Sequence, residues 1–262
     1  MNSHEMPDVQ SHFDARDIAI DQVGIKAIRH PATLIDAGQE QNTVAECRLT
    51  VGLPANRKGT HMSRFVALLN EGPLTLSIAG MDHWTRRMVE RLDANSGEAH
   101  FGFPYFLRKD APISGQPAMM DYDVTLSGHL EHGRSRTMLR LLIPVTSLCP
   151  CSKEISAYGA HNQRSHITVE TEISDTTLAI RDLVAAIEGQ GSCPLWGLLK
   201  RPDEKYITEY AFDNPKFVED MVRDVAAALD DYPGINGFTI GVENFESIHN
   251  HSAWAVIQRP AR

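Results

Sequence analysis

Cysteine is scarce in this chain: Cys47, Cys149, Cys151 and Cys193 are the four thiols in 262 residues. They are too few and too irregularly spaced for a disulfide framework, which excludes the stapled secreted scaffolds. Long apolar runs are also missing, so no segment is long enough to span a bilayer as a helix. The opening stretch MNSHEMPDVQSHFDARD is polar and acidic and lacks a signal-peptide core, so a cytoplasmic protein is the expectation. Positive charge is in short supply, with 25 Lys and Arg against 34 Asp and Glu and a net charge of -9. That argues against broad binding of nucleic acid or anionic membranes, but leaves room for a local basic pocket that holds phosphates.

Against this background one stretch stands out. Residues 144–166, PVTSLCPCSKEISAYGAHNQRSH, bring together Cys149, Cys151, His161, His166, Lys153, Glu154 and Arg164. The stretch begins where an apolar strand (138–145) runs out and ends where a second strand (167–173) begins, a place where a rigid scaffold displays chemistry. Cys149 and His161 are separated by eleven residues, so both can face one ion if the loop folds back.

Hydrophobic periodicity divides the rest. Residues 1–20 read as a flexible arm. Strands are expected at 22–30 and 43–53, where Ala45, Cys47, Leu49, Val51 and Leu53 share one face, which makes Cys47 a core residue. Met62, Phe65, Val66 and Leu69, then Trp84, Met88 and Leu92, have the spacing of helices that bury one face. Two strands follow, carrying Ala99 to Leu107 and Met120 to Leu130 on alternate positions, and His132-Gly133 makes a turn.

The order then repeats, with strands around Leu139–Val145 and Ile167–Ile173, a helix at Ile180–Ile187, and a long connection over 189–214. Asn214-Pro215 is expected to open a second helix, and two last strands lie at 235–244 and 252–258. The fold class is therefore α+β: two tandem ββααββ units, at 21–132 and 133–262, each an antiparallel sheet with helices on one face. Sheets covered on one side need partners at their edges, so oligomerisation is expected.

Further candidate ligands and acid/base groups lie at Asp203-Glu204-Lys205-Tyr206 beside Arg201, at Glu219, and in ENFESIHNH (243–251). Mixed S, N and O donors suit Zn²⁺ or another transition ion. The spacing is not that of a compact zinc motif.

Five blocks, GTHMSRF (59–65), LCPCSKEISAYGAHNQRSH (148–166), RPDEKYITE (201–209), NPKFVEDMVRD (214–224) and ENFESIHNHSA (243–253), resemble in order those of the type IB GTP cyclohydrolases, prokaryotic enzymes that open folate synthesis. The resemblance implies the tunnelling fold (T-fold), hydrolysis of GTP to 7,8-dihydroneopterin triphosphate and formate, and active sites between the subunits of a homo-oligomer, with a homotetramer expected. It implies Cys149, His161, Glu204 and His249 as ligands of Zn²⁺, Mn²⁺ or Fe²⁺, with His251 able to compete for the place of His249. Cys149, His161 and His249 are the implied catalytic groups, and Glu219 the carboxylate that grips the guanine ring. Lys153 and Arg164, with Arg64, Arg201 and Lys205, are available for the triphosphate, and His61 for the substrate pocket. Cys151 is either a thiol behind the ligands or simply packed, and Glu246 either supports His249 or moves a proton. Two related chemistries remain as alternatives. One is the archaeal cyclohydrolase that stops at a cyclic phosphate, and the other is the metal-free nitrile reductase with a Cys nucleophile.

Overall fold

Apolar–polar alternation over long stretches builds long strands, and in the computed structural model, which describes residues 8–261, they form a mixed α+β architecture. The described chain divides into two compact units. The first takes the chain up to Ile35, Glu40–Phe103 and Leu126–Thr137, and the second takes Asp36–Gln39, Pro104–Thr125 and the chain from Met138 on.

In the first unit, β1 (Ile20–Asp36) lies between β2 (Gln39–Leu53) and the short β3 (Leu74–Leu76), which it pairs in parallel. β2 pairs antiparallel with β4 (Gly97–Asp110), with Cys47 opposite Phe101 and Leu49 opposite Ala99. The unit's portions of β5 (Pro117–Glu131) and β6 (Arg134–Leu148) follow, joined at His132-Gly133. Both turn residues have positive φ (49° and 78°), the two-residue geometry that suits the twist of a hairpin. Helices α1 (Met62–Leu69) and α2 (Met81–Arg91) bury Phe65, Leu68, Leu69, Met81 and Met88. Trp84 meets Phe101 edge-on at 4.8 Å.

Cys47 is fully buried, as its alternation demands, and burial pushes its thiol up to about 11. Of the arm expected over 1–20, residues 1–7 lie outside the described residues. From Val9 to Ser11 the chain makes one 3₁₀ turn, and Phe13 bridges to Arg57.

In the second unit the remaining portions of β4, β5 and β6 continue through β7 (Asn162–Ile173) and β8 (Ile235–Asn244) to β9 (Ala253–Arg259) at the edge. The register places Leu141 opposite Val169 and Val169 opposite Ile240, so one sheet face is a continuous apolar surface. Onto it pack α4 (Ile180–Glu188), through Ile180, Leu183, Val184 and Ile187, and α6 (Val218–Leu229), through Met221, Val222, Val225 and Leu229. The carboxylate of Asp36 accepts the Ile180 N–H at 2.8 Å and the Tyr105 hydroxyl at 2.6 Å, which satisfies an amide at the start of α4.

Four elements differ from expectation, the first being β3, a short strand between α1 and α2 whose parallel pairing departs from the all-antiparallel ββααββ order. A six-residue helix, α3 (Pro150–Ile155), occupies the loop after β6, and the connection over 189–214 contains α5 (Arg201–Asp213). The helix expected to open at Asn214-Pro215 instead begins at Val218, while Asn214 closes α5. Asp220 decides that start, because its carboxylate accepts the N–H of Phe217 at 3.0 Å, and Pro215 lies in the extended link.

Candidate active site

The β6–β7 ladder ends at Leu148 opposite Asn162, and the chain between them leaves the sheet. Cys149 sits at the threshold in an extended conformation, and Pro150 follows at the first helical position of α3. The Ser152 N–H points at the Cys149 Sγ, 3.4 Å away. The Ser152 hydroxyl donates to the Cys149 carbonyl at 3.1 Å and accepts the His161 N–H at 3.2 Å. The Cys149 N–H closes the loop by donating to the His161 carbonyl at 3.1 Å. The thiol and the imidazole therefore come from residues clamped backbone to backbone at one end of the sheet.

His161 is half-buried, and its Nδ1 lies 3.0 Å from Gln163 Oε1 and 3.1 Å from Ser247 Oγ. Ser247 belongs to the loop between β8 and β9, so the segment that carries His249 reaches the same place. His249 and His251 are exposed there, with their rings stacked 5.2 Å apart, and Glu246 is half-buried.

Behind His161 lies a polar group that sequence reasoning missed. Gln163, Ser165, Ser147 and Asn244 are all buried and hydrogen-bonded in a row: Gln163 Nε2 to Ser147 Oγ at 2.9 Å, Ser147 Oγ to Ser165 Oγ at 2.7 Å, and Ser165 Oγ to Asn244 Oδ1 at 2.7 Å. A signal for it was available. Positions 163 and 165 fall on the same buried face as Ile167 and Val169, and polar residues on such a face must find partners.

The other candidates, His61 apart, are distributed over the second unit. The acidic cluster at 203–204 splits by direction. Asp203 is buried and accepts from the N–H groups of Ile113, Ser114 and Lys200 and from the Ser114 hydroxyl. Burial pushes its carboxyl up, but those hydrogen bonds outweigh burial and hold it well below the usual carboxylate range. Glu204, one residue on, is exposed at the first turn of α5, and Lys205 pairs with Glu209.

Lys153 donates to the carbonyl of Phe212 and stands over that ring at 4.3 Å, which ties α3 to the end of α5. Glu219 is the second residue of α6 and is exposed. Arg164 is exposed on β7, where its carbonyl accepts from Phe245. Next to it His166 packs on Phe245, and burial lowers its pKa, with the Arg164 charge adding and Glu243 and Asp123 opposing. His61 belongs to the first unit, where its Nε2 lies 3.2 Å from Asp8.

Of the remaining thiols, Cys151 is exposed. Cys193 is buried, and burial pushes it up to about 11, as expected of an inert core thiol.

Among the described residues no three His, Cys, Asp or Glu side chains converge closely enough to hold an ion. The donor set itself fits one. Cys149 and His161 are joined backbone to backbone, and Glu204 and His249 are exposed and make no ion pair among the described residues. A thiolate, imidazoles and a carboxylate suit a divalent transition ion. Among the described residues no helix is long and apolar enough to cross a membrane.

The family described as type I GTP cyclohydrolase folE2 matches residues 6–255. GTP cyclohydrolase FolE2 of Azoarcus sp. (strain BH72) is 55% identical, covering 100% of this chain and 99% of its own. That of Thiobacillus denitrificans is 56% identical, covering 98% of this chain and 96% of its own. Among solved structures, uricase from Arthrobacter globiformis superposes with a TM-score of 0.51 over 91% of this chain and 93% of its own at 9% identity, a likeness of fold alone. A family match across nearly the whole length, together with full-length relatives more than half identical, shows that this chain belongs to the type I GTP cyclohydrolase FolE2 family, the type IB enzymes of folate biosynthesis.

Proposed function

We infer that the end of the β6–β7 ladder is the hydrolytic centre of this GTP cyclohydrolase, with Cys149, His161, Glu204 and His249 as the ligands of a divalent transition ion (Zn²⁺, Mn²⁺ or Fe²⁺). The observation that carries the reading is the backbone clamp between Cys149 and His161. When bound, the ion supplies the Lewis acidity that activates water for attack at C8 of the guanine.

The chain's own residues bind and orient the substrate. Glu219, exposed in the first turn of α6, presents an acceptor-only carboxylate that matches the two parallel N–H donors of a guanine edge, N1–H and the 2-amino group. Amides of the same helical turn favour an anion there. Lys153 and Arg164 flank the ladder end and are the cations assigned to the triphosphate. Proton transfer would fall to His161 or His249, if that ring were not permanently held by the ion.

Three further assignments belong to this reading. The scaffold is two tandem ββααββ T-fold units, supported by the strand pairs that flank the helices in each half and by the likeness to uricase. The assembly is a homotetramer with sites between subunits. Its support is the edge position of β9, whose Trp254 is 67% exposed and Val256 41% exposed, an apolar edge that calls for a partner. The location is the cytoplasm.

Metal content and formate release test the site. Cys149→Ala and His161→Ala are each expected to lose bound metal and turnover while the far-ultraviolet circular dichroism stays that of wild type. Wild-type metal stoichiometry in either variant would remove that residue from the ligand set.

A further inference from the structure

The buried row behind His161 has a direction. A hydroxyl owns one proton, and a side-chain amide oxygen only accepts. Asn244 Oδ1 faces Ser165 Oγ, so the Ser165 proton points to Asn244. Ser165 Oγ then accepts the proton of Ser147, 2.7 Å away. Ser147, its proton committed, accepts from the Gln163 Nε2 amino group at 2.9 Å. That bond turns the Gln163 carbonyl oxygen toward His161, where it lies 3.0 Å from Nδ1. An oxygen that only accepts, set against a ring nitrogen, requires a proton on that nitrogen.

We propose that Gln163, oriented by Ser147, Ser165 and Asn244, is the positioning residue that holds the His161 proton on Nδ1 and keeps the Nε2 lone pair available for a metal ion. The proposal rests on the reading of His161 as a ligand and assigns how that ligand is prepared. An imidazole without such a partner distributes its proton between the two nitrogens and rotates about its χ angles. An acceptor fixed on one nitrogen selects the tautomer and the ring orientation together.

Burial makes the device rigid. Ser147 and Ser165 are inaccessible to solvent, Asn244 is 3% exposed and Gln163 8% exposed, so water does not replace the links among these four side chains. The network also crosses three adjacent strands, from β6 through β7 to β8, with Ser165 directly opposite Asn244 in the ladder. It therefore ties the ring to the sheet and not to the loop that carries Cys149. Ser247 Oγ, at 3.1 Å from the same Nδ1, is a second acceptor on the exposed side.

The test reads the tautomer directly. Long-range ¹H–¹⁵N correlation spectra of the histidine-labelled full chain, metal-stripped and Zn²⁺-loaded, distinguish Nδ1–H from Nε2–H. The His161 signals are assigned by their loss in His161→Gln, and mildly alkaline buffer confines the comparison to the neutral forms. Wild type is expected to show Nδ1–H before any metal is added. Gln163→Leu is expected to lose that preference and to bind Zn²⁺ about 10–100-fold more weakly in a chelator competition. Gln163→Glu keeps an acceptor against Nδ1 but loses the donor to Ser147, whose hydroxyl can turn its proton to the new carboxylate, so this variant is expected to retain the Nδ1–H tautomer that Gln163→Leu loses.

An Nε2–H tautomer in the wild type overturns the proposal without reference to any variant, so a Gln163→Leu chain that failed to fold would not shelter it. An Nδ1–H tautomer that survives in folded Gln163→Leu overturns the role of Gln163. If His161→Ala binds Zn²⁺ as tightly as wild type, the ligand reading itself fails, and that outcome is separate from either tautomer result.

Discussion

Lys109 and Glu188 form a buried ion pair in the second unit, and removing one partner offers a demanding test of its energetics. The Lys109 Nζ lies 2.7 Å from both carboxylate oxygens of Glu188 and 2.6 Å from the Leu195 carbonyl, and it stands over the Trp196 ring at 4.8 Å. The two side chains are only 15% and 8% exposed. Tyr122 adds one bond to Glu188 at 3.0 Å, and burial together with the Glu188 charge raises its pKa, so it remains a protonated donor.

Lys109→Met keeps the length and the apolar cover over Trp196 but leaves a buried carboxylate with Tyr122 alone. The loss is expected to be about 3–5 kcal/mol, the usual consequence of stranding a buried charge. It also frees the Leu195 carbonyl, in the connection that leads into α5. Urea unfolding at fixed protein concentration, followed by circular dichroism and Trp fluorescence, measures the change. The double variant Lys109→Met/Glu188→Leu should regain most of the loss, because an apolar pair of similar volume carries no desolvated charge. A single variant within about 1 kcal/mol of wild type, or a double variant less stable than the single, would refute the reasoning.

Two further outcomes follow from the site and the sheet edge. Glu219→Gln should weaken GTP binding by about 1–3 kcal/mol in calorimetry, because its NH₂ opposes a donor of the base, while metal content stays at the wild-type level. Loss of metal would show that Glu219 stands among the ligands. Light scattering at micromolar concentration should give the mass of a homotetramer. A monomer would refute the assignment of the β9 edge to a subunit contact.

The strand alternation, the two helices of each half that bury one face, the Cys47 core position and the turn at His132-Gly133 were all legible in the sequence, because each depends on neighbours within a few residues. So was the concentration of chemistry over 144–166, and the motif blocks sufficed to place the chain in its family. The helix α5 was not legible. Its Tyr206, Tyr210 and Phe212 are more than a third exposed, so it lacks the apolar stripe by which buried helices are recognised. The start of α6 was misplaced because Asn214-Pro215 satisfies a local rule that the Asp220 carboxylate overrides.

Sequence by itself determined which residue types were available for chemistry and which faces would be buried, since periodicity and composition are properties of the chain. Only the tertiary structure decided that Asp203 turns inward while Glu204 faces solvent, and that Cys149 and His161 meet through one backbone hydrogen bond. It alone decided, too, that Gln163, Ser165, Ser147 and Asn244 line up behind the imidazole. These arrangements join residues up to about a hundred positions apart, and their partners are chosen by strand register and burial, which no local pattern encodes.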